Sequence, residues 1–116
     1  KKADKNFAKR VLKDVINNND NLVTPEKIKK TVAKYYNIKI SDLESSRKTN
    51  NIAFPRQVAM YLIRELTDSS LPQIGRYFGN RHHTTVKYAC EKIEDDIKND
   101  DTLKNVIENL KEEIKE

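Results

Sequence analysis

His82, His83, Thr84, Thr85 and Cys90 are the residues of this 116-residue chain whose types and spacing invite a chemical reading. Two histidines and a cysteine suggest a metal. Adjacent histidines on a helix point in different directions, however, and no second ligand cluster stands at zinc-like spacing. Threonine beside histidine suggests a nucleophile with its base, but no acid partner completes such a motif. No phosphate-cradling or dinucleotide-binding glycine pattern occurs anywhere. What remains is hydrogen bonding. His82, His83, Thr84 and Thr85 carry short donors and acceptors, and their use depends on what presents them. No catalytic residue, metal or cofactor is expected in this chain.

These residues need a platform, and the stretch SLPQIGRYFGNRHHTTVKYACEKI, from Ser70 to Ile93, describes one. Ser70 is a good N-cap with Gln73 at the return position of a capping box, so a helix should begin there. Pro72 is tolerated because a first turn needs no intrahelical N–H donor. Leu71, Ile74, Tyr77 and Phe78 recur at helical spacing and give the helix one apolar face. Gly79 and Asn80 form a natural break, since both enter left-handed geometry cheaply. A second helix carries Val86, Ala89, Cys90, Ile93 and Ile97 on its inner stripe, leaving most of His82, His83, Thr84, Thr85, Lys87 and Tyr88 outward. That arrangement is a helix-turn-helix, although helical hairpins in plain bundles share the pattern.

Charge placement supports the same reading. Between Arg47 and Lys92 stand eight basic and three acidic residues, a balance of +5 that equals the net charge of the whole chain. A basic stripe over one helical unit is the footprint of a polyanion partner. By charge alone, a solvated cationic surface explains it equally. From Glu94 onward nine acidic residues face four basic ones, so this end should turn away from DNA. Only two glycines and three prolines, against 35% charged residues, indicate helices with short connections. No apolar run approaches membrane-spanning length, and the single cysteine suits a reducing cytoplasm.

The expected fold is all-α: a small helical bundle containing the helix-turn-helix, preceded by an amphipathic linker helix. Residues 1–20 form the linker, with Phe7, Ala8, Val11, Leu12, Val15 and Ile16 on one face. Packing on protein is its default use. Its cationic side, Lys5 to Lys13, also allows contact with acidic phospholipids. Residues 21–116 form the domain proper. Thr24 caps a helix opened by Pro25, with Ile28, Val32, Tyr35 and Tyr36 on its apolar face. Ser41 to Glu44 form a capping box sufficient for one turn. SSRKTNN should be an exposed basic loop, either a connector or an arm whose Arg47 and Lys48 reach DNA. Pro55 then opens a helix to about Leu66, and Asp100 caps a last helix with Leu103, Val106, Ile107, Leu110 and Ile114 buried.

The segment IGRYFGNRHHTTVKYACEKI resembles the signature of the DnaA family of bacterial chromosomal replication initiators, in its C-terminal DNA-binding domain. IAFPRQVAMYLIRELTDSSLPQIG and LVTPEKIKKTVAKYYNIK resemble the preceding family stretches, so the likeness runs from about Phe7 to Ile97. It implies sequence-specific binding of double-stranded DNA at origin repeats (DnaA boxes) by an excised domain that lacks the upstream ATP-binding AAA+ module. ATP is expected only on that upstream module. Other copies of the initiator and, through residues 5–13, acidic phospholipids are further implied partners. By position, Lys48 would enter the minor groove, Leu71 and Pro72 would touch thymine methyls, and His82, His83 and Thr84 would face base edges. Arg47, Arg56, Gln57, Arg64, Thr67, Ser70, Arg81, Thr85 and Lys92 would lie at or near phosphates. The family's usual Arg-Asp-His is Arg81-His82-His83 here, so His82 replaces an aspartate that accepts a hydrogen bond from a base. A neutral histidine accepts through one ring nitrogen only. Asn80 stands for the second glycine of the break, and Ser46 and Asn50 occupy loop positions where cations are common. Two other function classes compete with origin binding: a helical protein-interaction module with a basic face, and the helix-turn-helix of a transcriptional regulator.

Overall fold

The structure, a computed structural model, describes residues 22–116. The linker helix, its apolar face and the lipid contact expected of residues 5–13 lie outside the described residues. Among the described residues six helices follow one another: α1 Pro25–Tyr36, α2 Ile40–Glu44, α3 Asn50–Leu66, α4 Leu71–Tyr77, α5 His83–Asn99 and α6 Asp101–Lys115. Among the described residues there is no strand. The all-α expectation therefore holds.

Local signals account for most boundaries. Thr24 Oγ1 accepts the Lys27 N–H at 3.1 Å with Pro25 in the first turn, as the sequence predicts. Asn37 ends α1 in left-handed geometry, φ 58°, where asparagine is tolerated better than most residues. Ser70 and Gln73 exchange both bonds of a capping box, at 3.2 and 2.7 Å. Asp100 Oδ1 accepts the Leu103 N–H at 3.2 Å and starts α6.

Two starts differ from expectation. In α2 the cap is Lys39 rather than Ser41: the Asp42 carboxylate accepts the Lys39 N–H at 3.0 Å, so the turn begins earlier. Helix α3 opens at Asn50, and Pro55 lies inside it rather than at its start. The amides of Ile52 and Ala53 both donate to Thr49 O, which closes the extra turn. Ile52 is buried and anchors it. The carbonyl that Pro55 leaves unpaired belongs to Asn51, which is exposed and can be solvated, so the usual cost of an interior proline is reduced. The basic loop is correspondingly shorter, residues 45–49.

α5 is the hub of the packing, lying against α3, α4 and α6, while α1 lies against α2, α3 and α6. Ile28, Val32, Leu43, Val58, Leu62, Ile63, Ile74, Phe78, Val86 and Ile93 are wholly buried in one continuous core. α6 seals the side formed by α1 and α5 with Leu103, Ile107, Leu110 and Ile114. It leaves the start of α5 open.

Candidate nucleic-acid interface

The turn between α4 and α5 is built on a close backbone approach. The amides of Phe78 and Arg81 both donate to Gly75 O, at 3.2 and 2.9 Å. A Cβ on Gly75 would run into the Arg81 carbonyl oxygen. Gly79 and Asn80 follow in left-handed geometry, φ 77° and 60°. A Cβ on Gly79 would meet Glu44 O, so a glycine is required there on two counts.

From this turn α5 emerges with a polar, uncovered first turn. His82, His83, Thr84 and Thr85 are exposed, whereas Val86 and Ala89 are buried against the preceding helices. His82 is the N-cap. Its Nδ1 accepts the Thr84 N–H at 3.2 Å and lies 2.8 Å from Thr84 Oγ1. The His83 ring sits over it, centroids 4.3 Å apart and planes tilted by 31°. The nitrogen of His82 that can accept a hydrogen bond is thus occupied by the helix itself. At the start of α4, Pro72 is exposed and Leu71 half-buried. Further along α5, Lys87 is exposed and Tyr88 is 61% exposed, a large aromatic the sequence reading left unassigned.

The loop at 45–49 is brought alongside the turn by three cationic side chains. Arg81 donates through Nη1 to Phe78 O at 2.5 Å and through Nη2 to Ser45 O at 2.6 Å. Arg56 donates through Nε to Leu43 O at 2.9 Å and through Nη2 to Asp42 O and Ser45 O, at 3.3 and 3.0 Å. Lys29, only 2% exposed, donates to Glu44 Oε2 at 2.5 Å and to Tyr77 O at 2.8 Å. Each cation meets the carbonyl end of a short helix, α2 or α4, where the backbone dipole favours positive charge. A recess lined by Ser46, Lys48, Gly79 and Arg81 joins the loop to the turn.

The residues expected at phosphates differ in exposure and in their partners within the fold. Arg56 is 5% exposed, and its Nε and Nη2 donate to carbonyls at the end of α2. Burial and the neighbouring Arg81 charge pull its guanidinium below the ordinary arginine value. Arg81 is half-buried, its pKa lowered by the same desolvation, and two of its nitrogens are committed to carbonyls. Thr67 donates its hydroxyl to Ile63 O at 2.7 Å and accepts the Ser69 N–H at 3.2 Å, closing the end of α3. Lys92 pairs with Asp96 at 2.9 Å and lies over the Phe54 ring at 5.5 Å. Arg47 remains 60% exposed, with Nη1 3.8 Å from Asp42 Oδ1. Lys48, Arg64, Ser70 and Thr85 are exposed, and Gln57 is half-buried.

The bridging roles had a faint signal in the sequence. Lys29 falls among Ile28, Val32 and Ala33, and Arg56 among Val58, Ala59 and Met60, each beside an apolar stripe where a charge needs a partner. Arg81 carried no such signal. Among the described residues no group of three or more histidine, cysteine or carboxylate side chains could hold a metal. No helix among them is long and apolar enough to cross a membrane.

Residues 25–93, which span this whole assembly from α1 into α5, match the family described as bacterial dnaA protein helix-turn-helix. The chain belongs to that DnaA family. Its similarity extends beyond the matched helices. Chromosomal replication initiator proteins DnaA of Caldanaerobacter subterraneus subsp. tengcongensis, Thermoanaerobacter sp. and Thermoanaerobacter pseudethanolicus are each 52% identical over 112 residues, 97% of this chain. The chain spans 25% of the length of each of these DnaA relatives.

Proposed function

We propose that this domain binds double-stranded DNA sequence-specifically at replication-origin repeats, with α5 in the major groove. One observation carries the reading. Among the described residues, the first turn of α5 presents His82, His83 and Thr84 uncovered by any other helix, while Arg81 and Arg56 clamp the Arg47–Lys48 loop beside it. A projecting helix start flanked by a cationic arm is the geometry of base readout next to a second groove.

In this reading His82, His83 and Thr84 face base edges, Leu71 and Pro72 meet thymine methyls, and Lys48 enters the minor groove. Arg47, Gln57, Arg64, Ser70, Thr85 and Lys92 hold phosphates. Arg56 and Arg81 act one step back, fixing the loop and the turn relative to each other. Residues 1–20 serve as the linker to an upstream ATP-binding module, and the whole initiator assembles in several copies in the cytoplasm. Acidic phospholipid contact falls to residues 5–13.

The test is competition between a labelled origin repeat and a scrambled duplex of equal length at several salt concentrations. Specific binding should exceed scrambled binding by about 10³ or more, and both should weaken with salt. Equal affinity for the two duplexes would instead make this a basic module for acidic partners.

A further inference from the structure

An amide N–H only donates, so the nitrogen that accepts from it must present a lone pair. His82 Nδ1 accepts the Thr84 N–H. A neutral imidazole with a bare Nδ1 carries its proton on Nε2, on the far side of the ring. The Thr84 hydroxyl lies 2.8 Å from the same nitrogen. With Nδ1 bare, that hydroxyl is the donor of the contact, which leaves Thr84 Oγ1 with only lone pairs for anything outside. Turning the ring over would set a C–H against the Thr84 amide and abolish the cap. The His83 ring, its centroid 4.3 Å away, crowds the same rotation. The exposed start of α5 therefore has a fixed polarity, with a donor at His82 Nε2 and an acceptor at Thr84 Oγ1.

We propose that His82 is a specificity-determining residue that donates through Nε2–H to an acceptor on a base edge. Among major-groove edges, guanine shows two acceptors, N7 and O6, and cytosine shows only the N4 amine donor. Adenine N7 and thymine O4 are acceptors too, so His82 rejects cytosine at the position it faces and favours guanine over it. The proposal rests on α5 being the major-groove helix.

The variants separate polarity from capping. In His82→Asn the amide oxygen caps the helix and the amide nitrogen still donates outward. In His82→Asp one oxygen caps and the other accepts. Both side chains are good N-caps, so thermal melts of the 116-residue chain and its variants should coincide closely. A long-range ¹H–¹⁵N correlation spectrum of the free chain, at a pH where His82 is neutral, should show the Nε2–H tautomer. The Nδ1–H tautomer would overturn the proposal without any reference to DNA. Binding is then measured to an origin repeat with each position changed in turn to all four base pairs. Wild type and His82→Asn should prefer guanine over cytosine at one common position. His82→Asp should move that ratio the other way by about tenfold or more, leaving the other positions unchanged. If wild type fails to distinguish the repeat from a scrambled duplex, the DNA-reading assignment fails, and this proposal with it. If wild type is selective but His82→Asp moves no position, or His82→Asn behaves like His82→Asp, only the donor assignment is overturned.

Discussion

Arg81 offers the sharpest test, because two accounts of it predict opposite outcomes. As a phosphate contact it would contribute little to folding, and its loss would flatten the salt dependence by about one charge. In the structure it is a strut, donating to Phe78 O and Ser45 O from a half-buried position. A net hydrogen bond from a charged group is worth about 1.5–3 kcal/mol when buried. Water can replace part of each bond here, so about 1 kcal/mol apiece is the reasonable scale. Arg81→Ala should then cost about 2 kcal/mol, which for a domain of this size is a fall in Tm of about 10 °C. Arg81→Lys keeps the charge but not the two-pronged reach to both carbonyls. It should lose most of the same stability. Paired thermal melts and salt titrations on both variants decide the matter. If Arg81→Ala melts with wild type and lowers the salt slope by one unit, while Arg81→Lys restores that slope, the strut account is wrong.

The remaining predictions follow from burial. Thr84→Ala, at an exposed site, should change stability by no more than about 0.5 kcal/mol yet cost about 1–3 kcal/mol of discrimination between the origin repeat and a single-base variant. Val86→Ala, at a fully buried site on the other side of α5, should cost about 2 kcal/mol of stability and preserve that discrimination in the folded fraction; melts and competition binding on the two variants would show either reversal. Lys29→Met keeps the length but strips Tyr77 O of its partner in the interior, and should lower the urea-unfolding free energy by about 2 kcal/mol. Burial pushes the Cys90 thiol from 9.0 up to about 11, so the folded state favours the neutral form. That contribution is complete below pH 9 and is lost as pH rises through 11. Tyr36, raised to about 12 chiefly by burial, extends the loss above pH 10. Urea midpoints should be level to about pH 9 and fall beyond it, and Cys90→Ala should delay the onset of the fall.

The course of the chain shows where local reasoning suffices. Thr24, Ser70 with Gln73, and Asp100 each mark a helix start because a cap is made within three residues, and the apolar stripes of α5 and α6 name their buried faces. Pro55 misled because its cost in a helix depends on whether the freed carbonyl reaches water, which sequence does not show. Lys39 replaced Ser41 as the cap of α2 because the return bond from Asp42 reaches one turn back.

Within the candidate interface the division is the same. The identity and outward direction of His83 and Thr84 were written in the chain, since a residue's face on a helix follows from its spacing to Val86 and Ala89. Sequence could not tell an arginine for DNA from an arginine for the fold. Arg47, Arg56 and Arg81 are chemically identical, and only the tertiary structure decided that Arg56 and Arg81 spend their donors on Ser45 O while Arg47 stays largely exposed. The same holds for the two nitrogens of His82, whose roles were set by the amide of Thr84. Helix starts and faces are local properties of periodicity and capping. The partner of a long cationic side chain is set by whichever carbonyls the folded chain brings within its reach.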